Sequence, residues 1–224
     1  MRTVTFTRMS EGTRADYEFL RRCASDHNQG LPDRIIRALE RLEGSFSGYQ
    51  VTRLEHSLQS ASRAFRNNED PEVVMAALLH DIGDDLAPHS HDELAAAVLR
   101  PFVSERVLWI VKHHSIFQKY YYAHHLGGNR NARDRLRDSP YYEDAVRFCE
   151  LYDQGSFDPS YDTLPLSHFE PMIRELFSRK PRRPRHSRPA RWAGIARLSR
   201  APRIFITRLR ALLKRRPPDG SPVS

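Results

Sequence analysis

Cysteine is scarce: Cys23 and Cys149 are the only two in 224 residues. A pair so far apart gives neither a disulfide framework nor a zinc-binding spacing. Long apolar runs are missing too. No stretch approaches the roughly 20 residues a membrane span needs. The first residues, MRTVTFTRMSEGTRADYEF, lack the apolar core of a secretory signal. These gaps point to a cytoplasmic protein with reduced thiols. Period-two alternation is also rare, which argues against sheets.

Acidic residues nearly vanish at the end of the chain. Residues 179–224 hold 15 of the 36 Lys and Arg but one of the 28 acids, Asp219. The net charge of +8 therefore splits into about −6 for residues 1–178 and +14 for residues 179–224. The first part is expected to be a domain and the second a tail. KPRRPRHSRPAR is too polar to bury a core. RIFITRLRALLKRR after it reads as an amphipathic helix, with Phe205, Leu209 and Leu212 on one face and arginines around it. Such a segment suits an anionic membrane surface or non-specific nucleic acid. The expected location is therefore cytoplasmic and peripheral to a membrane.

Helical spacing dominates what remains, and it predicts an all-α, compact helical bundle. Thr13 caps a first helix to about Cys23, and Pro32 starts a second that ends near Gly44. A third runs from about Thr52 to Arg66. Asp70-Pro71 opens a fourth through VVMAALLHDIG. HDELAAAVL, SERVLWIVKHH, Tyr141–Tyr152 and Leu166–Phe177 follow. HHLGGNRNARDRLRDSP reads as a long loop with one helical turn. SFDPSYDTLPLSHFEPMI reads as structural.

Eleven histidines are many for this length, and their placement carries the chemistry. His80-Asp81 ends an apolar helix, His56 lies on the helix before it, and Asp153 lies far downstream in FCELYDQ. Imidazole and carboxylate suit divalent iron, manganese, zinc or magnesium. A buried Asp81 also needs a compensating cation.

His56, His80-Asp81 and Asp153 resemble the H…HD…D signature of the HD-domain superfamily, and HDIG at residues 80–83 sharpens the match. The resemblance covers about residues 45–160. It implies an HD-domain bundle with a metal site in its core. His91 and His114 then look like additions that make the two-metal form. In that form His56, His80, Asp81 and Asp153 would hold one ion, and Asp81, His91 and His114 the other.

Two activities accompany such sites. One is hydrolysis of phosphate mono- or diesters, with manganese, magnesium or zinc activating water. The other is oxidation by O₂ at a mixed-valence Fe(II)/Fe(III) pair. LEHSLQ and HSIFQKYY look closer to the HD-domain di-iron oxygenases that cleave phosphonates. The favoured expectation is thus an oxygenase acting on a small anionic or hydroxylated substrate. A phosphohydrolase is the alternative, and a metal-bound regulatory module a third. Several positions depart from the oxygenase pattern. Phe46 and Tyr49 stand where the lid Tyr and Glu are expected, and Tyr49 becomes a candidate catalytic phenolate. Gln118 replaces a lysine, with Lys119 beside it; both are candidate substrate ligands. Asp84 replaces a histidine, and with Asp85 becomes a candidate general base. Lys112, Lys119, Arg130, Arg133 and Arg135 are expected near the mouth, where they would attract an anion.

Overall fold

A computed structural model describes residues 2–45 and 47–182. Phe46 and the expected tail helix lie outside the described residues. Among these, eight α-helices and several short 3₁₀ turns occur, with no strand: α1 (Arg14–Gln29), α2 (Leu31–Arg41), α3 (Arg53–Arg66), α4 (Pro71–Leu79), α5 (His91–Leu99), α6 (Glu105–Tyr122), α7 (Tyr142–Phe148) and α8 (Leu166–Ser178). A π-helical turn, Cys149–Asp153, follows α7 directly. The fold is all-α.

Local chemistry sets where these helices begin. Thr13 and Asp16 form a reciprocal capping box at α1, which continues to Gln29 rather than stopping near Cys23. Thr52 and Glu55 form another at α3. Asp70 caps α4 and Pro71 supplies its first turn. Ser104 caps α6.

α4 is apolar all round, and Val73 to Leu79 are all buried, as expected of a helix at the centre of a bundle. α3 packs on α4, α5 on α6 and α2 on α8. α3 buries three serines as well as Leu58 and Ala61. The Ser62 hydroxyl donates to Leu58 O and accepts from Leu164 N, which satisfies it away from water. The polar loop after α6 folds into two 3₁₀ turns, Ala123–Leu126 and Arg130–Leu136.

Residues 179–182, expected to begin the tail, are tied to the helical body. Arg182 donates from its backbone to Pro101 O at 2.7 Å and from its side chain to Glu72 at 2.9 Å. Met1–Arg183 is one compact unit.

Candidate metal centre

Five elements converge at the centre of this unit. α3 carries His56. The end of α4 carries His80 and Asp81. α5 opens on His91, and α6 carries His114. The π turn brings Asp153. Its wide hydrogen bond, Gln154 N to Cys149 O at 2.9 Å, re-aims the helix end that presents this carboxylate.

The ring orientations are fixed from behind. Nδ1 of His56 lies 2.9 Å from Ser156 O, Nδ1 of His80 2.8 Å from Ala77 O, and Nδ1 of His114 2.7 Å from Val111 O. A carbonyl only accepts, so each neutral ring carries its proton on Nδ1 and keeps a lone pair on Nε2. Those Nε2 atoms meet in the middle. His56 Nε2 is 3.1 Å from His80 Nε2, and His91 Nε2 is 3.2 Å from His114 Nε2. Two lone pairs at that distance repel unless a cation lies between them. The donor set therefore fits metal ions.

Asp81 divides its two oxygens between the pairs. Oδ2 lies 3.3 Å from His56 Nε2 and 3.2 Å from His80 Nε2. Oδ1 lies 3.4 Å from His91 Nε2 and 3.2 Å from His114 Nε2. Asp153 Oδ1 closes the first group, 3.5 Å from His56 and 3.7 Å from His80. Three compact donor groups result: His56–His80–Asp81, His80–His114–Asp153 and Asp81–His91–His114.

Protons compete for the same lone pairs. Burial disfavours the charged ring of His80, but Asp81 and Asp153 outweigh it and hold its pKa well above the usual value. His56 is raised likewise, with burial opposing and Asp153 and Asp81 prevailing. Burial would raise Asp81, yet His80 and Arg53 hold it well below the usual carboxylate range. Asp153 is lowered against its burial by hydrogen bonds from His56 and His80. Buried Cys149 is pushed up, first by burial and then by Asp153, so it stays a thiol.

A cavity of about 390 Å³ opens onto the cluster, lined also by Tyr49, Arg53, Asp84, Pro88, Ser115, Gln118, Tyr122 and Phe157. Gln118 Nε2 donates to Asp153 Oδ1 at 2.8 Å, and its buried Oε1 has no partner. Tyr49 packs on Phe157 at 4.6 Å, and Phe157 stacks on His56 at 4.3 Å.

The structure brings His91 and His114 to the cluster. His89 is exposed, and the neighbouring His113 stacks on Trp109 instead. Other expected positions fall elsewhere. Lys119 is exposed and outside the cavity lining, as is Asp85. Lys112 pairs with Glu93, and Arg130 and Arg133 stack on Tyr120, so neither they nor Arg135 line the cavity. Asp84 does line it, but accepts from Arg53 Nε at 2.7 Å and sits 3.4 Å from His91 Nδ1. Sequence reasoning missed Arg53, Ser115, Tyr122 and Phe157. Arg53 had a usable signal, since it precedes His56 by three residues on one helix and so shares its face.

The HD domain family matches residues 53–146. These residues resemble an HD domain. The match opens on Arg53 and stops before Asp153, so the π turn completes the cluster from outside it. The chain is also 34% identical over 86 residues to a glycine-betaine-forming dioxygenase of (1-hydroxy-2-(trimethylamino)ethyl)phosphonate from Leisingera caerulea. That match covers 34% of this chain and 44% of the relative, so the chain spans less than half the length of the protein it resembles. No helix among the described residues is long and apolar enough to cross a membrane.

Proposed function

We propose that this HD domain is the catalytic body of a two-metal enzyme, a di-iron oxygenase that oxidises a small hydroxylated, anionic, phosphonate-like substrate with O₂. The observation that carries the reading is Asp81, whose two oxygens each face a different pair of imidazoles. A carboxylate so arranged suits a bridge between two ions about 3.5–4 Å apart. His56, His80, Asp81 and Asp153 would hold one ion, and Asp81, His91 and His114 the other. The oxygenase assignment draws on the partial likeness to the phosphonate dioxygenase. Iron in such a pair supplies redox exchange with O₂.

The chain's own groups have definable tasks. Gln118 holds Asp153 with its amide N–H, and its unpartnered Oε1 is an acceptor for a substrate hydroxyl. Tyr49, Tyr122 and Phe157 form an aromatic wall of the cavity against which the apolar part of a substrate can pack. Arg53 is taken up by Asp81 and Asp84, so the positive charge that favours an anion would come from the bound ions. Small ligands with a hydroxyl and an acidic group match this lining.

Phosphoester hydrolysis is the second reading, favoured by one observation: Gln118 stands where the phosphonate oxygenases are expected to carry lysine. Anaerobic purification, metal analysis and electron paramagnetic resonance separate the two. Two irons per chain, a mixed-valence signal and O₂ consumption with hydroxyphosphonates or polyols are expected. Phosphate release from phosphoesters by a redox-silent metal form, without O₂ uptake, would overturn the oxygenase reading.

The basic segment beyond the described residues is proposed as an electrostatic attachment to anionic lipid. Residues 183–224 hold 12 Lys and Arg against the single acid Asp219, and lipid uses the apolar stripe as well as the arginines.

A further inference from the structure

The four imidazoles of the cluster are not backed alike. His56, His80 and His114 turn Nδ1 to backbone carbonyls, so the fold itself fixes their rings. His91 turns Nδ1 to a side chain, Asp84 Oδ1 at 3.4 Å. It is also the most accessible, with its side chain 23% exposed against 3% or less for the other three. It stands at the first residue of α5, where no preceding turn of helix restrains it.

Asp84 is held in turn. Arg53 Nε donates to its Oδ2 at 2.7 Å, and Arg53 Nη2 donates to Asp81 Oδ2. Asp81 Oδ1 then returns to His91 Nε2 at 3.4 Å. Asp81, Arg53, Asp84 and His91 thus close a ring of side chains around one edge of the cluster.

We propose that Arg53 and Asp84 are positioning residues that set the affinity of the ion site formed by Asp81, His91 and His114. The rings of His56 and His80 are preset by backbone carbonyls and do not depend on Asp84, whereas Arg53 also reaches their side through Asp81 Oδ2. The proposal rests on the two-ion reading above. A carboxylate behind a metal-facing imidazole fixes its tautomer and strengthens its donor nitrogen. The planar guanidinium fork can hold two carboxylates in one geometry, which the point charge of lysine cannot. Asp84 therefore acts through His91, and not as a base toward substrate.

The test is iron uptake by the full chain, titrated anaerobically and read as ions bound per chain, with circular dichroism as the check on folding. The wild type is expected to take up two ions. Asp84→Asn should bind the first ion as the wild type does and the second roughly 10–100-fold more weakly, with Asp84→Glu recovering part of the loss. Arg53→Lys, which also loosens Asp81 Oδ2, should weaken both ions and the second more than the first. A residue that merely stabilises the fold would not split the two affinities. If Asp84→Asn does not fold, Arg53→Lys carries the measurement. Two variants that retain both ions at wild-type affinity overturn the clamp alone. A wild type that binds a single ion overturns the two-ion reading and the clamp with it.

Discussion

A β-carbon on Gly83 would lie 2.7 Å from the carbonyl oxygen of His91 and 2.9 Å from its α-carbon. Glycine at this position lets the start of α5 lie directly against the turn that follows Asp81, which puts His91 within reach of the cluster. Gly83→Ala would push that backbone away. The expected cost is about 1–3 kcal/mol of stability, together with selective loss of the His91-side ion. A melting curve and metal analysis check both; an alanine variant with two ions and an unchanged midpoint would contradict the packing argument.

His91→Ala should lower metal content toward one ion per chain and abolish turnover. His80→Ala should be worse, because His80 belongs to two of the donor groups. It is also fully buried, so removing it takes away a group that Asp81 and Asp153 share and leaves a cavity beside them. Inductively coupled plasma analysis of the two variants ranks them. Equal metal loss in both would mean that His91 has no site of its own.

The pKa shifts fix a pH dependence with a definite sign. His56 and His80 are raised, so without metal their contribution to stability is complete below about pH 6.5 and fades as pH rises through their folded values. Asp81 and Asp153 are lowered, so theirs is complete above about pH 3.8 and fades as pH falls through the folded values. Metal needs neutral imidazoles and must displace those protons. Metal binding should therefore release protons at pH 7, and its stabilising effect should grow from pH 6 to pH 8. Calorimetric titration in two buffers of different ionisation enthalpy measures the release; zero protons displaced would contradict the assignment.

Gln118→Leu removes the donor to Asp153 and the acceptor facing the cavity. Metal affinity on the His56 side should fall roughly tenfold, as for other groups that orient a ligand. KM should rise for hydroxylated substrates. The informative result is a rise in KM beyond what metal loss explains at saturating iron. An unchanged KM would leave Gln118 the single task of steadying Asp153.

The full chain should co-sediment with anionic vesicles at low salt, and residues 1–183 should not. The body is mildly acidic, and each basic residue near such a surface contributes on the order of 1 kcal/mol. Equal binding by both, or by neither, would end the attachment proposal.

Much of the centre was legible because its letters have local physical causes. In TRLEHSLQS, Glu55 completes a helix cap. Gln59 exchanges hydrogen bonds with the backbone of Asp158, holding the loop that carries Phe157. Lys119 was a poor candidate on geometry alone. α6 continues unbroken to Tyr122, so the residue four after His114 shares its face and the residue five after does not. Phe157 was not legible, because SFDPSYDTLP has no periodicity to say which way a returning loop faces. The wide turn at Cys149–Asp153 was hidden too, since α and π turns differ by one residue and leave no apolar signature.

The hydrogen bond from His56 to Ser156 spans 100 positions of chain. During synthesis, the donors contributed by α3 and α4 are made long before the backbone carbonyl that sets the ring of His56. A nascent chain that ends before Ser156 has the sequence signature without the site. The ring of His56 is therefore set only once the chain extends past Ser156 and the body is nearly complete.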